Sequence, residues 1–276
     1  MRPIINGHTK IYGILGRPVT HSLSPAMHNA AFQKLGINAV YVPFPVTDLA
    51  QAVAGLRGLA IGGASVTIPF KEEIIPLIDE MDPQAARMAA VNTLVNRDGR
   101  LIGYNTDWLG AVTALKAQTA ITGEHVLLLG AGGAARAIAF GLLENGGKVT
   151  LTDLDAARAE TLAREMAVEA IPLDALKQCP ASILINATPV GMAPDLHGLP
   201  LEPELLRRFT LVMDIVYRPL LTRLLREAQT HGTRIIDGLQ MLIHQATAQF
   251  ELWTGRSAPL ETMSAAAYAA LEEEGG

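Results

Sequence analysis

The segment Gly130-Ala131-Gly132-Gly133-Ala134-Ala135 has the residue types needed to hold a pyrophosphate. It follows an apolar run, Val126 to Leu129, and opens a helical pattern. Glycines allow a tight turn and let the backbone approach the anion, while the helix start presents N–H groups to it. A glycine-rich turn often does nothing but turn the chain. The strand before it and the helix after it favour dinucleotide binding, with Gly130, Ala131, Gly132, Gly133 and Ala134 as contacts. The end of the next apolar run reports the cofactor. Asp153 lies 20 residues after Gly133, near the place where a carboxylate accepts hydrogen bonds from a ribose 2′-hydroxyl and repels a 2′-phosphate. No Arg follows it directly; Leu154 stands there, and Arg158 comes one helical turn later, within reach of a phosphate. Asp155 is assigned the helix cap and Asp153 the ribose. This local chemistry favours NAD over NADP.

Other polar clusters lie outside this unit. They are Ser22-Leu23-Ser24-Pro25, Ser65 to Lys71, Ala90 to Thr93, Gly103 to Asp107, and Asp237 to Leu242 with Gln245. Residues just past strand C-termini line the ligand crevice of a doubly wound sheet. Together these positions supply hydroxyls, amides, an ammonium and carboxylates, a set suited to a small polyhydroxylated acid. The seven histidines show no metal-ligand spacing, so no metal is expected. A Gly-x-Ser-x-Gly elbow is absent, which disfavours a serine hydrolase.

These residues need rigid elements to position them. The chain has 276 residues, 49% of them apolar and 18% charged, enough for one large or two ordinary domains. Twenty-two basic against 27 acidic residues give a net charge of −5, which argues against a nucleic-acid surface. The single cysteine, Cys179, excludes an internal disulfide. No apolar run reaches the roughly 18 residues of a membrane helix, and the N-terminal residues lack a signal peptide's apolar stretch. A cytoplasmic location is expected, with no membrane or nucleic-acid partner. Oligomeric state is not readable, and a homodimer stays open.

Apolar runs alternate with helical patterns almost throughout. Strands are expected at Ile11–Leu15, Ala39–Val46 and Ala64–Ile68, with Ser24 capping a helix that starts at Pro25 and stops at Gly36. Asp98-Gly99 predicts a hairpin turn. A second series starts near Trp108 and continues to Ile236. Strand–helix alternation predicts parallel sheets covered on both faces. The fold class is therefore α/β. Residues 1 to about 105 form an N-terminal α/β domain, and about 106 to 237 form a doubly wound Rossmann domain. The helical segment 238–276 carries its own apolar stripe and is expected to return to the first domain. A ligand is expected in a cleft between the two domains.

In these motifs the chain resembles the shikimate dehydrogenase family over essentially its whole length. The resemblance implies a substrate domain plus an NAD(P)-binding Rossmann domain. It also implies interconversion of 3-dehydroshikimate and shikimate, in the shikimate pathway of aromatic amino acid biosynthesis. It assigns Ser22 and Ser24 to the substrate carboxylate. Val66 to Lys71 matches its Val-Thr-x-Pro-x-Lys motif, which makes Thr67 a substrate contact and Lys71 the catalytic lysine. Asn92 and Asp107 match residues on ring hydroxyls, Gln245 the substrate glutamine, and Tyr217 the tyrosine lining the pocket. Asn186 to Pro189, with Thr188, and Ile215 and Gly238 resemble segments near the nicotinamide. As an ammonium, Lys71 would protonate the developing alkoxide; as an amine it would take the proton back. A free lysine has a pKa of about 10.4, far from neutral. A lone lysine beside Glu72 and Glu73 is ordinarily a solvated surface group; the motif around it argues otherwise. Asp107 is expected to orient Lys71 and bind a hydroxyl.

Two departures from the family stand out. Ser65 replaces the usual Asn before Val-Thr, removing an amide's reach. Asp153-Leu154-Asp155 replaces an Asn-Arg-Thr whose Arg grips the NADP 2′-phosphate, so NAD is favoured where NADP is the family default. The alternatives are an NAD-dependent quinate/shikimate dehydrogenase of broader range, a non-catalytic dinucleotide sensor, and a folate-type dehydrogenase. The serine pair argues against the last of these.

Overall fold

The computed structural model describes residues 5–275. Its contacts divide the chain into two compact units: the residues up to Thr106 with those from Ile243 onward, and Asp107–Leu242.

The first unit begins β1 (Lys10–Gly16), α1 (Ser24–Lys34), β2 (Ala39–Pro45), α2 (Leu49–Gly58) and β3 (Gly63–Val66). It continues with β4 (Glu80–Met81), α3 (Pro83–Met88), β5 (Thr93–Arg97) and β6 (Arg100–Tyr104). The sheet order is β2-β1-β3-β5-β6-β4. The alternation of strands and helices predicted a parallel sheet, but this one is mixed: β5 runs antiparallel to both β3 and β6. The reason is local. Asp98 and Gly99 take φ of +53° and +87°, both left-handed, and close a two-residue hairpin whose strands must run opposite ways. Leu15, Val66, Leu94 and Leu101 bury one face of the sheet with Val53 and Leu56 of α2.

The second unit holds α4 (Asp107–Lys116), β7 (His125–Leu129), α5 (Gly133–Glu144), β8 (Lys148–Thr152) and α6 (Ala156–Met166). It goes on through β9 (Glu169–Ala170), β10 (Ile183–Asn186), β11 (Leu211–Asp214), α7 (Arg223–Thr230) and β12 (Arg234–Ile236). All its strand pairs are parallel, in the order β12-β11-β10-β7-β8-β9. Val126 and Leu128 of β7 enter one core while Leu127 and Leu129 enter the other. Successive strand residues face opposite ways, so a strand covered on both faces must be apolar throughout. Strand order reverses between β7 and β10, whose last residues, Leu129 and Asn186, are paired. Such a switch point is where doubly wound sheets bind ligands.

The C-terminal segment forms α8 (Gly238–Thr254) and α9 (Leu260–Gly275). The boundary between the units falls inside α8, so most of α8 packs on the first sheet. Trp253 donates its indole N–H to Leu94 O at 2.9 Å, and a Cβ on Gly63 would strike that indole. α9 packs on α1. Among the described residues no helix is long and apolar enough to cross a membrane. Nor do three or more His, Cys, Asp or Glu side chains there gather to hold a metal.

Candidate active site

In the first unit, a buried chain of hydrogen bonds joins four of the residues singled out in the sequence: Ser24, Ser65, Asn92 and Gln245. Tyr41 on β2 donates its hydroxyl to Ser65 Oγ at 2.6 Å and also hydrogen-bonds Ser24. Ser65 donates to Gln249 Oε1 at 2.7 Å. Gln249 Nε2 donates to Thr93 Oγ1 at 2.9 Å and to Asn92 O at 3.2 Å. Thr93 Oγ1 donates to Asn92 Oδ1 at 2.6 Å, and Thr106 N donates to the same oxygen at 2.8 Å. Asn92 Nδ2 reaches Thr106 Oγ1 at 3.0 Å and Gln245 Oε1 at 3.4 Å. Burial pushes the Tyr41 phenol up, against the hydrogen bonds with Ser65 and Ser24, so it stays a donor. Against its ring lies His28, with centroids 4.5 Å apart and planes at 18°. Burial pulls the His28 imidazole down to about 3, leaving it neutral at physiological pH.

Ser24 does not cap α1. It is the first helical residue, the cap position is Leu23, and no side chain caps the helix. The Ser24 N–H instead donates to Ser22 Oγ at 3.3 Å, and Pro25, which lacks an N–H, removes one of the donors a cap would have served. Thr67 lies in the turn after β3, its N–H on Leu15 O at 2.9 Å and its carbonyl taking Phe70 N at 2.9 Å. A Cβ on Gly16 would collide with its methyl group. Lys71 is half-buried, and its carbonyl accepts from Val91 N at 2.8 Å. That bond anchors Lys71 beside the residue preceding Asn92.

Sequence reasoning missed Tyr41 and Gln249, and named Thr93 only as a member of the cluster Ala90 to Thr93. Only Gln249 left a signal, since it lies one helical turn beyond Gln245 and shares its face. Truncating Gln249 to alanine removes the acceptor of the Ser65 hydroxyl and a donor to Thr93 Oγ1. An unsatisfied buried polar group costs about 1–3 kcal/mol, so Gln249→Ala is expected to lower the free energy of unfolding by about 3 kcal/mol. Urea titration would read this as a lower midpoint at an unchanged slope; an unchanged midpoint would refute it.

In the second unit, Gly130 adopts φ +112°, where side chains are strained. A Cβ there would also meet Ala187 O at 3.0 Å. Gly132 stands at the N-cap of α5, with no side chain capping the helix. A Cβ on Gly132 would find nothing nearer than Arg158 Nη2, at 3.8 Å. This is an open cradle under a helix start whose N–H groups have no side-chain acceptor, and a pyrophosphate fits it. Asp153 Oδ2 accepts from Ala131 N at 2.7 Å and Oδ1 from Asp155 N at 2.9 Å. Asp155 caps α6 by accepting from Arg158 N at 3.2 Å. Leu154, next to Asp153, is a bare apolar side chain, 85% exposed. Gly133 and Ala134 open α5. Asp107 is buried as the first residue of α4, next in the chain to Thr106. Thr188 follows β10, Ile215 and Tyr217 follow β11, and Gly238 starts α8.

Asp214, which the sequence reading did not single out, ends β11 fully buried. Burial pushes its carboxyl up to about 6, against hydrogen bonds from Thr222, Val216 N and Asn186. An unfolded aspartate titrates near 3.9, so this group makes stability fall as pH rises from about 4 to about 6.

Residues 14–94 match the family described as "Shikimate dehydrogenase substrate binding domain", and residues 238–268 the "Shikimate 5'-dehydrogenase C-terminal domain". Shikimate dehydrogenase (NADP(+)) of Pyrococcus furiosus is 48% identical over 276 residues, covering 98% of this chain and 99% of its own. Shikimate 5-dehydrogenase of Thermus thermophilus, solved with NADP(H) and shikimate, superposes with TM-score 0.88 at 41% identity. That match covers 95% of this chain and 99% of the other. The Listeria monocytogenes enzyme, solved with shikimate and NAD, superposes with TM-score 0.87 at 35% identity, covering 95% and 98% of the two chains.

Proposed function

The chain belongs to the shikimate dehydrogenase family, and from that premise we propose that it interconverts 3-dehydroshikimate and shikimate by hydride transfer with a nicotinamide dinucleotide. The observation that carries this reading is the hydrogen-bonded set Ser24, Ser65, Asn92 and Gln245. It lies in the unit whose residues 14–94 match a shikimate dehydrogenase substrate domain. Polar groups already held by buried partners present fixed donors and acceptors, which is how an enzyme orients a polyhydroxylated ring.

Ser22 and Ser24 take the substrate carboxylate. Thr67, Asn92, Asp107 and Gln245 take ring hydroxyls, and Tyr217 lines the pocket. Ser65, with its hydroxyl already engaged by Tyr41 and Gln249, offers the substrate little beyond a small contact. Gly130 to Ala134 hold the pyrophosphate, Asp153 and Arg158 the adenosine ribose, and Thr188, Ile215 and Gly238 the nicotinamide end. When bound, the nicotinamide supplies or accepts the hydride. The protein manages the proton: the Lys71 ammonium gives one to the ring oxygen during reduction, and its amine takes one from the hydroxyl during oxidation.

Initial-rate oxidation tests the reading. Shikimate is expected to turn over with kcat/KM about a hundredfold above quinate, because quinate's extra hydroxyl and saturated ring misplace the polar contacts. Equal kcat/KM on the two acids would make this a quinate/shikimate dehydrogenase of broad range. No turnover on either would leave a dinucleotide-binding protein without this chemistry.

A further inference from the structure

We propose that Asp214 is a positioning residue: its carboxylate locks the turns at residues 186–190 and 215–217 into the one arrangement that receives the nicotinamide half of the dinucleotide. The inference rests on the reading that Thr188, Ile215 and Gly238 lie beside that half.

Asp214 ends β11 and Asn186 ends β10, and the two are paired in the parallel register. Oδ1 of Asp214 accepts from Asn186 Nδ2 at 2.9 Å and from Val216 N at 3.1 Å. Oδ2 accepts from the Thr222 hydroxyl at 2.7 Å. Three donors converge on the two oxygens of one side chain, and a carboxylate has an acceptor site for each of them. All three donors are neutral, so the charge does not serve an ion pair with them.

The constraint passes outward along both strands. With Nδ2 held by Asp214, the Asn186 amide has one orientation: its Oδ1 accepts from Thr188 N at 3.1 Å and from Thr188 Oγ1 at 2.6 Å. A flipped amide would aim oxygen at carboxylate and NH2 at N–H. Thr188 Oγ1 in turn accepts from Val190 N at 3.3 Å. On the β11 side, the Val216 bond sets the direction of the Ile215–Tyr217 turn. Thr222, fixed by Oδ2, accepts from Leu225 N at 3.3 Å and caps α7. Neither turn has slack on its other side. A Cβ on Gly130 would meet Ala187 O at 3.0 Å, and one on Gly238 would lie 2.6 Å from Val216 C. Asp214 therefore orients Asn186, Thr188 and the Ile215–Tyr217 backbone from a position with no exposure of its own.

The test compares two ligands on Asp214→Asn. One is the intact dinucleotide, NAD or NADP, whichever the native protein binds tighter. The other is the matching ADP-ribose or its 2′-phosphate, which lacks nicotinamide. Calorimetric titration without shikimate is expected to show intact dinucleotide binding about tenfold weaker, with the nicotinamide-free ligand unchanged. Equal weakening of both ligands, or no weakening of either, would overturn the proposal, because a merely structural role would affect both alike. Should Asp214→Asn not accumulate as folded protein, Thr222→Val deletes one donor at similar volume and is judged by the same criterion. No turnover enters the measurement, so failure of the shikimate reading would show separately, in the native protein's assays.

Discussion

Replacing Lys71 with alanine is expected to reduce kcat for shikimate oxidation about a thousandfold, a barrier increase of about 4 kcal/mol. Affinity for the dinucleotide should stay within about twofold, because the Lys71 side chain is assigned only the proton step. The backbone at Lys71 is held by Val91 N, and that bond survives the substitution, so the loss should come from chemistry. Arginine should not rescue the variant. A guanidinium stays charged at any workable pH and cannot take the hydroxyl proton back. A Lys71→Ala enzyme with native kcat would remove lysine from the proton step. It would leave Asp107 as the remaining titratable group assigned to the substrate.

Exchanging the dinucleotide preference is the second large effect. The native chain is expected to use NAD with kcat/KM about tenfold above NADP, a difference of about 1.4 kcal/mol. The Asp153 carboxylate is fixed by Ala131 N and Asp155 N, so it cannot swing away from a 2′-phosphate. Leu154 beside it is exposed and offers the phosphate nothing. The double change Asp153→Asn, Leu154→Arg removes the repulsion and adds a fork-shaped donor. It should move the NADP/NAD ratio about a hundredfold or more toward NADP, about 3 kcal/mol. The Pyrococcus furiosus relative is named for NADP(+), which makes the native ratio the more informative half. If NADP exceeds NAD tenfold in the native enzyme, Arg158 outweighs Asp153 and the preference assigned from these residues fails.

Much of the second unit was legible along the chain. The strand expected before the glycine turn and the helix expected after it are observed as β7 and α5. Continuous apolar runs, glycine punctuation and Asp caps are local signals, and parallel strands buried on both faces show them plainly. The first unit was less legible. Two-residue strands such as β4 carry no period, and the antiparallel pairing of β3 with β5 depends on where a long connection returns the chain. The C-terminal segment read as helical, but its division into α8 and α9 did not stand out.

The nearby parts of the chemistry were set by residue order: a glycine turn between strand and helix, an acid 20 residues on, and a lysine four residues past a threonine. Each concerns neighbours whose geometry the backbone dictates. Which polar side chains share a partner was settled only by folding. Ser65 meets Gln249 across 184 residues of chain, and Asn186 meets Asp214 across 28. A buried hydrogen bond forms where two strands or a strand and a helix happen to be packed together. That placement follows from sheet order and core packing, and it leaves no spacing in the sequence to read.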